Sequence, residues 1–128
     1  VQQPFTPVPM PLLGTSVSDV MFGTDGNDRI EGLEGSDVLN GGAGADLLIG
    51  ADGADRFVVS TLTDSTRSLA DRILGFDADD ALDLSSLGLL ESDLLLQQMG
   101  DVWLVMASGH DFMVIVVTPQ LSRAQIVI

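Results

Sequence analysis

The chain contains no cysteine, no tyrosine and no lysine, and its five arginines are the only permanently cationic side chains. Without cysteine no disulfide can form, so an extracellular protein of this sequence would need another stabilising element, such as a bound metal. The 19 acidic side chains give a net charge of −14. This charge argues against nucleic acid and anionic membrane surfaces as partners. No apolar run is long enough to span a bilayer, so we predict no transmembrane segment.

Histidine is also scarce, because His110 is the only one in the chain. Histidine-based zinc proteases need two or three, and the G-x-S-x-G sequence of serine hydrolases is absent. We expect His110 in an exposed turn. We therefore predict no catalytic residue and no organic cofactor site in this chain. An enzyme domain elsewhere in a larger parent protein remains compatible with the sequence.

The first thirteen residues differ in composition from the rest of the chain. Proline stands at positions 4, 7, 9 and 11. Such spacing is typical of an extended, semi-rigid linker, which we predict over residues 1–13. The start of the sequence lacks a basic segment followed by an apolar core, so we do not interpret these residues as a secretory signal peptide. We interpret the chain as the C-terminal part of a larger protein, with a natural N-terminal arm as the alternative.

Glycine and aspartate recur with a strict nine-residue period. The four full units are 23–31, 32–40, 41–49 and 50–58, with Gly at positions 1 and 4 and Asp at position 6. Position 8 is always a bulky apolar residue. A degenerate unit, 14–22, precedes them and carries Val17 at position 4. This is the G-G-x-G-x-D-x-U-x pattern, and scattered Gly/Asp turns of an unrelated β-protein would not keep its phase.

The period has a physical consequence for the aspartates. A six-residue turn followed by a three-residue strand makes a coil of two units, so unit n stacks on unit n+2 in parallel strands about 4.8 Å apart. Asp28 would then lie beside Asp46, and Asp37 beside Asp55. Like charges this close need a cation, and Ca²⁺ accepts six to eight oxygen ligands. Mg²⁺ fits poorly, and the lack of cysteine disfavours zinc.

Calcium is also expected to control folding. High acidity with few aromatic residues is typical of disorder, but 45% of the residues are hydrophobic. We predict that the repeat segment folds poorly alone and becomes ordered when calcium neutralises its carboxylates.

At these repeats the chain resembles the RTX family of secreted bacterial proteins with hemolysin-type calcium-binding repeats. The resemblance implies an all-β fold, a parallel β-roll over residues 14–58 that continues into a β-sandwich-like cap over residues 59–128. It also implies that one turn supplies the carbonyls of positions 1 and 3 with its aspartate. The stacked turn then supplies the carbonyls of positions 2 and 4 with its own aspartate.

Carried over to this chain, the resemblance implies two calcium sites and a third, degenerate one. The first comprises Gly23, Asp25, Asp28, Gly42, Gly44 and Asp46. The second comprises Gly32, Glu34, Asp37, Ala51, Gly53 and Asp55. The third comprises Gly14, Ser16, Asp19, Leu33, Gly35 and Asp37. Val17 lies outside the third ligand set, although it puts the conformation of that turn in question.

The C-terminal half carries further strand patterns. We predict a hairpin from residues 101–107 and 111–118, strands at 72–76 and 81–84, and a last strand at 125–128. Residues 91–98 fit a helical turn or a strand. The acids Asp77, Asp79, Asp80 and Asp83 fit either a solvated turn, the simpler interpretation, or a further calcium site that caps the last coil.

This half is similar to the segment that follows the repeats in serralysin-type metalloproteases and in the R-modules of mannuronan C5-epimerases. The ending, residues 121–128, is similar to a common RTX ending, with Gln125 in place of the expected acid. The resemblance implies export by a type I secretion system and an extracellular location. The function that we predict is a calcium-dependent folding module that stabilises or anchors an upstream domain. The alternative is a module that binds a polysaccharide such as alginate, from an epimerase or a surface adhesin.

Overall fold

A computed structural model describes residues 10–128, so most of the predicted linker lies outside the described residues. The strands within this range are β1 (Leu12–Leu13), β2 (Val20–Phe22), β3 (Arg29–Glu34), β4 (Val38–Asn40), β5 (Leu47–Asp52), β6 (Arg56–Val58), β7 (Asp71–Leu74), β8 (Ala81–Asp83), β9 (Leu94–Met99), β10 (Val102–Ala107), β11 (Met113–Val117) and β12 (Ile126–Val127). Short 3₁₀ helices occupy Ser85–Leu87, Glu91–Asp93 and Arg123–Gln125. Residues 10–128 contain no α-helix, and none of their helical segments is long and apolar enough to cross a membrane.

Alternate repeat units contribute their strands to opposite sheets. Among the described residues, one sheet has the order β1-β3-β5-β7-β11-β10-β9 and the other has the order β12-β8-β6-β4-β2. Ile30 pairs with Leu48 in the first sheet, and Leu39 pairs with Phe57 in the second, both in parallel register. Each unit therefore stacks on the second unit after it. The predicted all-β parallel roll is confirmed.

The core of the roll is the space between the two sheets. The apolar residues at position 8 point into it and are buried, namely Met21, Ile30, Leu39, Leu48 and Phe57. The same ladders continue beyond the repeats, because Leu48 pairs with Ile73 and Phe57 pairs with Leu82. The rings of Phe57 and Phe76 lie 5.8 Å apart, between centroids, at the end of this core. The roll thus extends by one coil that lacks the glycine pattern.

The cap grows directly from the sheets of the roll. Strands β9 and β11 lie on either side of β10, each antiparallel to it, and β11 joins β7 in parallel. The predicted hairpin is β10–β11, and the uncertain segment 91–98 is a 3₁₀ turn followed by strand β9. The last strand, β12, pairs with β8 through Ile126 and Leu82. Phe112, Val114 and Val116 are fully buried and belong to the same apolar core as the position-8 residues of the roll.

Candidate metal centre

The aspartates at position 6 form two files, one along each edge of the roll. The backbone N–H of Asp28 donates to Oδ1 of Asp46 at 2.8 Å. In the other file, Asp19 N–H donates to Oδ1 of Asp37 at 2.8 Å, and Asp37 N–H donates to Oδ1 of Asp55 at 2.9 Å. Stacking by n and n+2 therefore places the carboxylates next to one another, as the repeat period predicts.

Both files continue beyond the last repeat. Asp46 N–H donates to Oδ1 of Asp71 at 3.0 Å, and Asp55 N–H donates to Oδ1 of Asp80 at 2.9 Å. Asp80 is only 2% exposed, so its interpretation as part of a solvated turn is wrong. Asp77 and Asp79 are exposed and agree with that interpretation. Leu82, two residues after Asp80, pairs with Phe57 in the second sheet, and this pairing places Asp80 next to Asp55 in the file.

Carboxylate oxygens without donors lie inside the files. Within residues 10–128, Oδ2 of Asp37, of Asp46 and of Asp55 is buried and has no hydrogen-bond partner. All three side chains are at most 2% exposed. A buried carboxylate oxygen that accepts nothing is costly unless a proton or a cation satisfies it. These atoms therefore fit a hard cation that takes oxygen ligands, which is the chemistry of calcium.

The first coil is different, because its aspartates have local donors. Thr24 donates from its N–H to Oδ2 of Asp28 at 2.7 Å and from Oγ1 to the same oxygen at 3.0 Å. Thr15 makes the equivalent bonds to Asp19. Each threonine occupies position 2 of its unit, where the later units have Leu33, Gly42 and Ala51. The threonines thus stabilise the carboxylates at the exposed N-terminal end of each file.

Burial also shifts the acid–base behaviour of the inner aspartates. Loss of hydration raises the pKa of Asp46 to about 6, against a lowering by the hydrogen bond from Asp28 N–H. Burial likewise raises the pKa of Asp55 to about 6, and the neighbouring charges of Asp80 and Asp37 add to this rise. Burial raises the pKa of Asp71 to about 8. Without a metal, Asp46, Asp55 and Asp71 therefore hold protons more tightly than free aspartates do.

The turns of successive coils approach each other very closely. Gly53 has φ of +123°, and a Cβ on it would lie 1.9 Å from the carbonyl oxygen of Gly35 in the turn below. Only glycine fits a position with both constraints. In the degenerate unit Val17 is exposed, and Asp19 still stacks on Asp37. Val17 therefore does not disrupt the stacking of that turn.

Position 2 of the later units adopts an unusual conformation. Leu33 and Ala51 have φ of +75° and +71°, in the left-handed region that glycine favours. Gly42, at the equivalent position, has φ of +80°. The turns at 32, 41 and 50 thus share one backbone conformation, and two of them hold it without glycine.

The structure brings together the residues of each predicted site in two stacked turns. The turn of residues 23–28 lies against 41–46, the turn of 32–37 lies against 50–55, and the turn of 14–19 lies against 32–37. Ser16, Asp25 and Glu34, at position 3, are exposed. Among residues 10–128 no group of three or more acidic or histidine side chains is clustered for metal binding.

Several residues of this region were not identified from the repeat pattern. Asp71 and Asp80 extend the files, and a second ladder follows position 5, where Asn27 Oδ1 accepts from Ala45 N–H at 2.9 Å. A usable signal was present, because Asp71 and Asp80 each precede a buried apolar residue by two positions, as position 6 precedes position 8. These two aspartates follow their partners in the file by 25 residues instead of the 18 found inside the repeats, so a search for the nine-residue period does not find them.

Sequence comparison supports the repeat assignment. The profile of the RTX calcium-binding nonapeptide repeat, described as four copies, matches residues 14–57. No curated protein sequence matches the chain significantly.

Solved structures resemble the whole described fold. The AlgE6R2 subunit of the Azotobacter vinelandii mannuronan C5-epimerase is 31% identical, with a TM-score of 0.66 and coverage of 91% of each chain. The AlgE6R3 subunit of the same enzyme is 28% identical, with a TM-score of 0.58 and coverage of 96% of this chain and 86% of that one. The extracellular lipase LipA from Serratia marcescens shares the fold at 23% identity and a TM-score of 0.53. The matched region is 90% of this chain and 20% of the lipase.

Proposed function

Because this chain belongs to the RTX family of proteins with calcium-binding nonapeptide repeats, we propose that it is a module that folds on binding calcium after type I secretion. In this proposal it stabilises or anchors a larger secreted bacterial protein. The observation that carries the calcium part is the presence, in both files, of buried oxygens without hydrogen-bond donors, on Asp46 in one file and on Asp37 and Asp55 in the other. The similarity to subunits of an epimerase and to one part of a lipase supports a role as one module among others.

The proposed ligands are those implied by the stacked turns. Asp28 and Asp46 would hold one ion and Asp37 and Asp55 a second, with carbonyls of their turns. Asp19 would share a third ion with Asp37. Calcium supplies, when bound, the positive charge that allows adjacent carboxylates to stay ionised, and it accepts the backbone oxygens of both turns.

The ligand assignment is tested by two matched substitutions. Asp37→Asn removes one charge from two proposed sites, whereas Asp19→Asn removes one charge from a single site at the end of the file. Asparagine keeps an oxygen that can accept the N–H of the stacked residue. We expect Asp37→Asn to lower calcium stoichiometry and stability more than Asp19→Asn, as measured by isothermal titration and thermal melts. Equal effects would contradict the shared role of Asp37.

The export part of the proposal assigns a role to residues 121–128. An exporter that acts on the unfolded chain would recognise this end in the low calcium of the cytosol. High external calcium would then fold the repeats and oppose back-sliding. The end also has a structural role, because Leu121 and Ile126 are buried and Ile126 pairs with Leu82. A truncation therefore changes stability as well as any signal.

A secretion assay separates these two roles. The chain lacking residues 121–128 is compared with Leu82→Ala, which weakens the same pair of strands but keeps the end intact. In a host with a type I exporter, we expect the truncated chain to stay inside the cell and Leu82→Ala to be secreted. The truncated chain should still bind calcium in vitro with reduced stability. Secretion of the truncated chain at the full-length level would refute the export role.

A second candidate function is binding of an acidic polysaccharide. Its support is the similarity to two subunits of a mannuronan C5-epimerase and the position of two arginines. Arg29 and Arg72 flank Leu47 in one row across the first sheet, and both arginines are exposed. Titration with mannuronan oligomers in calcium tests this function, with the double variant Arg29→Gln and Arg72→Gln as control. Binding that is lost in the double variant would favour this function. If the unaltered chain does not bind the oligomers, polysaccharide binding is refuted and only the function as a folding module remains.

A further inference from the structure

The first sheet ends at a long strand whose outer edge is unpaired among residues 10–128. Strand β9 lies beside β10 at one end of this sheet, and no described strand pairs with its other side. The other three sheet edges are β1, β12 and β2, which have two, two and three residues, whereas β9 has six. Very short edge strands resist pairing with another chain, and a long edge strand can accept one.

Strand β9 also lacks the other features that protect a sheet edge. Its sequence is Leu-Leu-Leu-Gln-Gln-Met, without a charge or a proline. It pairs with β10 at every residue from Leu94 to Met99, without a bulge. Charges, prolines and bulges are the usual obstacles to edge pairing. Nothing within β9 therefore opposes the addition of a further strand.

The direction of the backbone groups in β9 follows from one hydrogen bond. Ser108 N–H donates to the carbonyl oxygen of Asp93 at 2.7 Å, so the backbone of Asp93 faces β10. Backbone groups alternate in direction along an antiparallel strand, so those of Leu96 and Gln98 point away from β10. The outer edge thus presents two N–H donors and two carbonyl acceptors.

These four groups are complementary to the same groups of a second copy. A two-fold axis through Gln97 would place Leu96 opposite Gln98 of the second copy, and Gln98 opposite its Leu96. Each of these opposed pairs exchanges two hydrogen bonds, so four bonds use every free group of the two edges.

The side chains of the same arrangement also match. Leu94 and Leu96 pack against the core, so Leu95, Gln97 and Met99 lie on the outer face of the sheet. The axis through Gln97 puts Leu95 against Met99 of the second copy at both ends and sets the two Gln97 amides against each other. Apolar and amide cross-strand pairs of this kind stabilise a sheet.

We propose that β9 is a dimerisation edge, at which two copies of this chain pair in antiparallel orientation across a two-fold axis through Gln97. The inference goes beyond the proposed function, because it concerns association rather than metal binding or export. The contact is small, and each chain carries a charge of −14. The pairing also brings Asp93 towards the turn with Asp101 of the second copy. The dimer should therefore be weak and should strengthen with added salt.

Two substitutions of equal charge test the position of the axis. Gln97→Glu sets two carboxylates against each other, whereas Gln120→Glu adds the same charge to an exposed loop after β11. In sedimentation velocity with saturating calcium, we expect the mass of the unaltered chain to rise towards that of a dimer with concentration. Gln120→Glu should behave in the same way, and Gln97→Glu should raise the dissociation constant of the dimer several-fold or more.

A second pair of variants tests the backbone of the edge. Gln98→Pro removes an N–H that points away from β10, so it deletes an intermolecular donor and keeps the bonds to β10. Gln98→Ala keeps this N–H and is the control. We expect Gln98→Pro to be monomeric and Gln98→Ala to dimerise. In hydrogen exchange of the unaltered chain, the amides of Leu96 and Gln98 should gain protection as concentration rises.

Circular dichroism in calcium checks that each chain is folded, and Gln97→Glu decides alone if Gln98→Pro does not fold. A folded, unaltered chain that stays monomeric at every concentration would overturn the proposal and leave the edge to an extended segment of a different protein. A dimer that Gln97→Glu retains at full strength would place the contact on another surface, such as the outer face of the first sheet, and would overturn it as well.

Discussion

The roll and the cap both turn on glycines with positive φ, but the surroundings of these glycines differ. Within the repeats they are Gly35, Gly42, Gly44 and Gly53, and after the repeats they are Gly75, Gly88, Gly100 and Gly109. A Cβ added to any of the first four would meet a backbone oxygen of the neighbouring coil within 2.7 Å. A Cβ on the second four would meet no heavy atom within 4 Å in the described part of the chain.

This difference reflects two ways of holding a chain together. The roll stacks backbone on backbone, and its edges bring carboxylates into contact. The cap is held by its buried apolar side chains, such as Val105 and Phe112, and it meets the roll where β11 pairs with β7. The roll should therefore depend on metal and on the space around its turns, and the cap on side-chain packing.

Calcium removal should separate the two regions most strongly. Chelation leaves adjacent carboxylates uncompensated at neutral pH, and three-residue strands do not persist alone. We expect a large loss of β-type circular dichroism and of melting temperature. In hydrogen exchange, the amides of β2, β3 and β4 should lose protection far more than those of β10 and β11.

The control for this experiment is magnesium. Mg²⁺ prefers a tight octahedron and keeps its waters, so it should restore little protection after chelation. Uniform loss of protection across β2 and β10 would show that the roll and the cap unfold as a single unit. An unchanged melt in chelator would contradict the calcium interpretation altogether.

Substitution of one glycine from each region tests the role of space. Gly109→Ala forces alanine into a left-handed conformation at a cost of about 1–2 kcal/mol. Gly53→Ala adds a collision with the Gly35 carbonyl, so we expect a total cost of roughly 3–5 kcal/mol. Urea denaturation in saturating calcium measures both costs. Equal costs would mean that the turns of the roll can move apart without penalty.

The pH dependence of stability should have opposite signs with and without calcium. In the metal-free protein, burial raises the pKa of Asp46 and of Asp55 to about 6 and of Asp71 to about 8. The folded state then binds more protons than the unfolded state, so these groups lower stability as pH rises from about 4 to 8. Calcium-bound carboxylates titrate below their unfolded values, so acid removes that stability instead. Denaturation midpoints at several pH values, with calcium or after chelation, should therefore slope in opposite directions.

A slope of the same sign in both conditions would contradict this assignment. The variant Asp71→Asn provides a control, because it lacks the group with the most raised pKa. Its metal-free stability should depend less on pH between about 6 and 8 than that of the unaltered chain.

The sequence predicts the roll well because each of its features has a local cause. The nine-residue phase determines which residues are buried, which strands pair and which aspartates meet. Leu39 pairs with Phe57 because both occupy position 8 of units two apart. The hairpin β10–β11 was equally predictable, since Gly109 and its neighbours mark a turn between two apolar runs.

The extra coil was not predictable from glycine spacing. The loop between Val58 and Asp71 lengthens the coil, and its stacking depends on burial of Ile73 and Leu82 against the repeats. Tertiary packing, rather than turn chemistry, therefore brings Asp71 and Asp80 into the files. Gln125 is a similar case, because its amide reaches carbonyls of residues 77 and 80, which are more than 40 positions earlier in the chain.

The smallest expected effect concerns position 2 of the turns in the roll. Ala51 holds φ of +71° without the freedom of glycine, whereas Ala43, in the neighbouring unit, is not among the residues with positive φ. Ala51→Gly should relieve a left-handed alanine and raise stability by about 1 kcal/mol, after allowance for the greater entropy of glycine in the unfolded chain. Ala43→Gly relieves no strain and only raises the conformational entropy of the unfolded chain, so it should lower stability by roughly 0.5–1 kcal/mol. The two changes delete the same methyl group, so urea denaturation in saturating calcium should give free-energy changes of opposite sign. A loss in both variants would mean that the turn at Ala51 carries no conformational strain, and that the demand for glycine in the roll comes from space alone.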